Sequence, residues 1–154
     1  MSIDRVRKYF KEYKIEQNII ELTTSTATVK EAAESLGTEE CRIAKTLSFI
    51  VEDKPILIVV AGDAKIDNSK YKGYFHTKAK MIPADLVETL IGHNIGGVCP
   101  FGINEGVTVY LDESLKRFEH VYPACGSSNS AIKLTIEELE KYSNYTTWID
   151  VCKY

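Results

Sequence analysis

Several signatures are missing from this sequence. Its four cysteines, Cys41, Cys99, Cys125 and Cys152, stand far apart with no C-x-x-C pair, which argues against a zinc ribbon. No apolar run approaches the roughly 18 residues of a membrane span. The opening MSIDRVRKYFKEYK has no apolar core of the kind that marks a secretory signal. There is no internal repeat and no low-complexity linker. Positive charge is not in excess: the net charge of −3 exerts no global pull toward nucleic acid, so a phosphate-bearing partner would need a local patch. These absences set the expectation of a cytoplasmic protein with reduced thiols and with neither membrane nor DNA as partner.

Nucleotide-fold signatures are also absent. The stretch IGGVCPFG, residues 95–102, spaces Gly97 and Gly102 as a Walker loop would, but Ile103 and Asn104 follow where Lys and Ser or Thr are needed. No G-x-G-x-x-G fingerprint opens a helix, and no G-x-S-x-G elbow occurs. His76 and His120 have no metal-ligand spacing. No cofactor and no metal are expected.

What is present suits one domain over 1–154. The apolar fraction of 44% is enough for a core, and the charged fraction of 27% is ordinary. Ile3, Val6, Tyr9, Phe10 and Tyr13 recur at helical spacing. NIIEL reads as a short strand. TVKEAAESLG is a helix with a Thr28/Glu31 capping box and Gly37 as its stop. AKTLSFIVE and PILIVVAG, separated by Asp53-Lys54, read as a hairpin whose second strand is central. PADLVETLIG is a helix with Pro83 near its start. GVTVYLD, HVYPACG, SAIKLT and TTWIDV read as strands, and TIEELEKYSN is a helix opened by a Thr135/Glu138 capping box. The mixture and the short links predict a compact α/β fold, with a mixed, largely antiparallel, curved sheet and peripheral helices.

Two loops and one lysine carry the candidate chemistry. In IGGVCPFG the glycines permit a turn, and Pro100 stiffens it. Gly96-Gly97 also removes side chains and opens the backbone to a ligand, so the loop reads either as a plain turn or as a pocket wall of amide donors. Cys99 reads as a buried filler or, with His93 six residues away, as a nucleophile. Gly126, Ser127, Ser128 and Asn129 form a second loop, either a hairpin turn or a second rim of small donors. Lys45 opens an apolar strand. It marks an exposed strand end or stands in a cleft as a fixed cation for a phosphate or carbonyl oxygen.

TVKEAAESLG, the lysine of RIAKTLSFIV, PILIVVAGD, GGVCPFG and GSSNSAIKLTIEEL follow one another in an order that resembles the YbaK family of aminoacyl-tRNA editing domains. These domains occur free-standing and as the insertion domain of bacterial prolyl-tRNA synthetases. The resemblance implies hydrolysis of the ester between a wrong amino acid and tRNA, most often tRNA for proline. Lys45 then matches the family's functional lysine. Gly97, Val98, Cys99, Pro100, Phe101 and Gly102 match the loop lining the aminoacyl pocket, and Gly126 and Ser127 the later loop near the substrate. Thr24, Ser25, Thr26 and Thr28 stand where some relatives carry an aromatic or histidine. We expect Lys45, Gly97, Val98, Cys99 and Gly102 to be catalytic, and Thr28, Pro100, Phe101, Gly126, Ser127 and Ser128 to bind substrate.

No carboxylate or histidine presents itself as a base, so the expected mechanism is substrate-assisted, with loop amides stabilising the oxyanion and a rigidly held ester. The expected substrate is tRNA carrying alanine, cysteine or serine, in keeping with an editing sieve. Lys65, Lys70, Lys72, Lys78 and Lys80, against Asp67 alone, form either a basic patch for the acceptor end or a solvated loop. Prolyl-tRNA synthetase is a candidate partner. A non-catalytic module that binds aminoacyl-tRNA or a small metabolite, and a thiol hydrolase using Cys99, are the rival readings.

Overall fold

The structure, a computed structural model, describes residues 2–154. Its elements in chain order are α1 (Ser2–Lys11), β1 (Ile20–Glu21), α2 (Val29–Leu36), β2 (Ile43–Val51), β3 (Lys54–Ala61), β4 (Lys65–Ile66) and α3 (Asn68–Phe75). They continue with α4 (Val87–Ile91), β5 (Thr108–Asp112), β6 (His120–Pro123), β7 (Ser130–Ala131), β8 (Leu134–Thr135), α5 (Ile136–Ser143), β9 (Thr147–Ile149) and β10 (Cys152–Lys153). The main sheet has six strands in the order β8-β6-β2-β3-β5-β9. β2–β3 and β6–β8 pair antiparallel, whereas β2–β6, β3–β5 and β5–β9 pair parallel. Two further ribbons, β1–β7 and β4–β10, are antiparallel. The expected mixed α/β sheet is present; in its six-stranded part the parallel pairings outnumber the antiparallel ones.

Local chemistry accounts for the element boundaries. The β2–β3 turn is Glu52-Asp53, one residue earlier than the separator expected from sequence. Both residues have positive φ, 50° and 64°, as a two-residue hairpin turn with the strands' own twist requires. Thr28 caps α2 by accepting from the Glu31 amide at 3.1 Å, and Gly37 closes it at φ 68°. The Glu31 carboxylate takes the Thr28 hydroxyl rather than the Thr28 amide, so only half of the capping box forms there. At Thr135 and Glu138 both halves form. SAIKLT divides into β7 and β8, which pair with different strands.

β3 lies between β2 and β5, and Leu57 through Ala61 are fully buried. Its run of β-branched residues therefore packs on both faces. α1 covers one side of the core: Phe10 is fully buried, 4.7 Å from the Phe101 ring and 5.9 Å from Tyr142. Buried Asp112 ties the last strands down, accepting from the amides of Ser114 and Val151 at 2.9 Å each. That anchor guides the chain into β10, a strand with no local signal in the sequence.

Candidate functional site

A cavity of about 470 Å³ opens along one edge of β2. It exists because β2 meets β6 only at Ile43 and Ala44. Farther along, the same edge is closed again by the 80–82 segment, where the Ile50 amide donates to Lys80 O at 2.8 Å and the Ile82 amide to Ser48 O at 3.1 Å. The gap between these two closures is the cavity. Polar backbone groups alternate along a strand edge. Two residues before Ser48, the N–H and C=O of Thr46 therefore face the gap. The Thr46 hydroxyl is buried with no partner among the described residues.

Other segments complete the walls. Thr26, Ala27 and Thr28 lead into α2. Met81, Ile82, Ala84 and Val87 form a second, apolar wall, with Met81 58% exposed at the rim. Ile95, Gly96 and Val98 come from the glycine loop, and Tyr122, Ala124, Ser130 and Ala131 from β6 and the late loop. The lining is mostly apolar with a few polar groups, the usual character of a small-molecule site.

Lys45 stands on this wall, half-buried, with Nζ donating to Gly62 O at 3.4 Å. Burial lowers its pKa below the ordinary lysine value. Cys152 and Asp63 partly offset this, and Lys65 adds to it. Desolvation disfavours the charged form and leaves the ammonium short of partners. Such a group suits an anionic oxygen or a polarised carbonyl.

The glycine loop is placed otherwise than its composition suggests. Only Gly96 and Val98 of residues 96–102 line the cavity. Gly97 is buried behind the wall, its carbonyl accepting from the Gly126 amide at 3.0 Å. A Cβ on Gly97 would fall inside 3.0 Å of the Gly126 carbonyl and the Ser127 amide. The two loops thus touch through bare backbone, and Gly97 serves packing. Pro100 and Phe101 are buried in the core, and Gly102, at φ 63°, turns the chain against α1 close to Arg5 O.

Cys99 and His93 do come together, with Sγ 3.5 Å from Nε2. Both are fully buried and neither lines the cavity. His93 Nε2 lies 2.6 Å from Phe101 O, a carbonyl, so Nε2 carries the proton and donates it there. It has no lone pair left for the thiol, and burial pushes the Cys99 thiol up to about 12. The pair has neither the access nor the ionisation of a nucleophile and base.

In the late loop, Ser127 Oγ is 2.6 Å from Ser130 Oγ and 2.9 Å from Asn129 Oδ1. Ser128 O accepts from Thr26 N at 2.5 Å, and Asn129 O from Leu22 N at 2.8 Å. Gly126, Ser127 and Ser128 therefore support the wall from behind, while Ser130 and Ala131 reach the cavity. Thr28 both caps α2 and lines the cavity.

With this geometry in place, the comparison with known proteins decides the family. Residues 23–142 match the aminoacyl-tRNA editing domain. The chain belongs to that family. It is 54% identical, over 99% of its length and 98% of the relative's, to the uncharacterised protein YwhH of Bacillus subtilis (strain 168). It is 30% identical over 100 residues to a proline–tRNA ligase of Limosilactobacillus fermentum, covering 61% of this chain and 18% of that enzyme, so it spans about a fifth of the ligase. Its fold superposes on a candidate trans-editing enzyme for prolyl-tRNA synthetase with a TM-score of 0.87 at 30% identity, covering 99% of this chain and 98% of that one.

In this editing domain the expected RNA-facing lysines separate into two groups. Lys70 is engaged by Asp150 at 3.0 Å and by Cys152 O at 2.8 Å, and so serves to hold α3 on the C-terminal segment. Lys65, Lys72, Lys78 and Lys80 are exposed, and Lys80 adjoins the Met81 wall. Sequence reasoning missed Thr46 and the 81–87 wall. The Thr46 edge is polar only because of where its neighbours pair, and the wall is an ordinary apolar stretch until it folds over β2.

Proposed function

We propose that this chain is a trans-acting deacylase that removes alanine, serine or cysteine from mischarged tRNA, with tRNA for proline as the carrier. The observation that carries this reading is Lys45, a desolvated cation on the wall of an apolar cavity beside the open backbone edge at Thr46. The family and the relatives among proline–tRNA ligases support the same reading. A volume of about 470 Å³ exceeds a small side chain and leaves room for the terminal ribose and part of its base.

In this reading the amino-acid side chain packs on the Ile82, Val87 and Val98 side, and Lys45 meets the phosphate or the ester oxygen. Water adds to the acyl carbon while the ribose hydroxyl relays its proton. The bond to the ribose oxygen then breaks, and that oxygen takes the proton. The protein's part is to position the ester and to stabilise the oxyanion. Thr46 and Val98 both line the cavity, and in this reading their main-chain amides are the donors. The exposed lysines at 65, 72, 78 and 80 supply the local charge that an acidic protein needs to hold an acceptor end, and prolyl-tRNA synthetase is a natural supplier of the substrate.

A panel of mischarged tRNAs tests the proposal. Wild type should release small amino acids from tRNA for proline, Lys45→Ala should be slower by about a hundredfold, and Cys99→Ala should retain most activity. Binding without turnover on every ester would replace the enzyme with a binding module. Loss confined to a well-folded Cys99→Ala would restore the thiol mechanism.

A further inference from the structure

The exposed end of the Lys45 site carries an arrangement that the cavity alone does not require. Asp63 follows Gly62, the residue whose carbonyl accepts from Lys45 Nζ. Both Asp63 oxygens are held by one guanidinium: Arg117 Nη1 to Oδ2 at 3.0 Å and Nη2 to Oδ1 at 2.6 Å. A planar fork bridging both oxygens in this way fixes a carboxylate in orientation as well as position.

Arg117 is itself held by several further contacts. Its Nε donates to Ser114 O at 2.8 Å. The Tyr154 ring lies 3.9 Å from its guanidinium carbon and the Phe118 ring 4.8 Å. Ser114 in turn accepts the Ala61 amide on Oγ at 3.1 Å, which locks the end of β3 from which Gly62 and Asp63 project. An exposed ion pair adds little to stability, so this degree of fixation calls for another purpose.

The charged and titratable groups that bear on Lys45 are Asp63 from the turn after β3, Lys65 from β4 and Cys152 from β10. Asp63 is the one carboxylate among them. Freed from Arg117, it is a flexible acid one residue from the carbonyl that Lys45 already touches.

We propose that Arg117 is a positioning residue of the Lys45 site: by occupying both oxygens of Asp63 it prevents that carboxylate from closing an ion pair with Lys45, and so keeps the ammonium available to an anionic oxygen of the substrate. The function assigned to the released charge rests on the deacylase reading above; the competition between Arg117 and Lys45 for Asp63 does not.

Two measurements on full-length protein separate these layers. In the absence of RNA, the titration of Lys45 is followed by the ¹³Cε shift in lysine-labelled wild type, Arg117→Ala, Asp63→Asn and the double variant, with thermal unfolding as the check on folding. Arg117→Ala should raise the Lys45 pKa, and adding Asp63→Asn should reverse that rise. An unchanged Lys45 titration in a folded Arg117→Ala protein overturns the proposal. In deacylation of mischarged tRNA, Arg117→Ala should lower kcat/KM at least tenfold and move the basic limb of the pH profile upward, Asp63→Asn alone should stay near wild type, and the double variant should recover. A loss that Asp63→Asn does not rescue shows a merely structural Arg117 and also overturns it. Should wild type turn over no ester while the Lys45 titration shifts as described, the deacylase reading fails and the competition for Asp63 stands.

Discussion

Gly97 and Gly126 meet backbone to backbone, the Gly126 amide donating to the Gly97 carbonyl at 3.0 Å. Neither position has room for a side chain: a Cβ on Gly97 would collide with Gly126 and Ser127, and one on Gly126 with Ser2 and Ile3. Ser2 Oγ also donates to Gly126 O, so the late loop lies between α1 and the glycine loop behind the cavity.

Gly97→Val should therefore damage the fold and not the pocket alone. A role confined to the pocket wall would predict lost activity with the fold mostly intact. The contact geometry instead predicts overpacking, with a loss of about 1–3 kcal/mol in unfolding free energy by urea titration. A wild-type midpoint would contradict it.

Lys45→Met should trade function for stability. Because burial lowers the folded-state pKa of Lys45 below its ordinary 10.5, the unfolded chain holds the proton more tightly. Stability then rises with pH between the two values, and the full burial penalty is present below the folded one. Removing the charge should leave the neutral-pH unfolding midpoint unchanged or higher and abolish that rise, while deacylation is lost. A clear drop in midpoint would show that Lys45 is held by more than the Gly62 carbonyl.

Thiol reagents should find one cysteine. Cys41 is partly exposed, whereas Cys99, Cys125 and Cys152 are buried and all four are free. Burial pushes the thiols of Cys99 and Cys152 up to about 12 and that of Cys125 well above its usual value. Native protein at pH 8 should label at Cys41 within minutes and at the others only on unfolding, with deacylation unaffected by the Cys41 adduct. Rapid labelling of Cys99 would reopen the nucleophile question.

His93 should make the protein acid-sensitive. Its pKa is lowered from 6.5, chiefly by burial, with Arg5 adding to the effect and the Phe101 carbonyl opposing it. The unfolded chain takes up the proton first as pH falls, so stability declines below 6.5 and levels off beneath the folded value. His93→Gln should flatten this slope in unfolding midpoints measured against pH. A slope equal to wild type would assign the acid limb to other groups.

Much of the fold was legible because its signals are local. The caps at Thr28 and Thr135, the left-handed stop at Gly37 and the turn of the β2–β3 hairpin each depend on residues within four positions of one another. Lys45 was legible as a charge in an apolar strand. β10 was not, because its pairing with β4 joins segments 86 residues apart through the Asp112 anchor, and nothing within VCKY specifies it.

The chain by itself determined most of its elements and the presence of a lysine and two glycine-bearing loops in one α/β unit, since these follow from periodicity and short-range capping, while the order of its motifs carried the resemblance to the editing family. Only the tertiary structure decided which atoms face the cavity. It turned Gly97, Cys99 and Phe101 inward, because bare backbone packs where loops cross and a thiol and a ring are driven from water. It left the Thr46 edge open, because β2 and β6 part after Ala44 and the segment ending at Ile82 does not rejoin until Ser48. Strand divergence is a property of the assembled sheet, and no stretch of the sequence carries it alone.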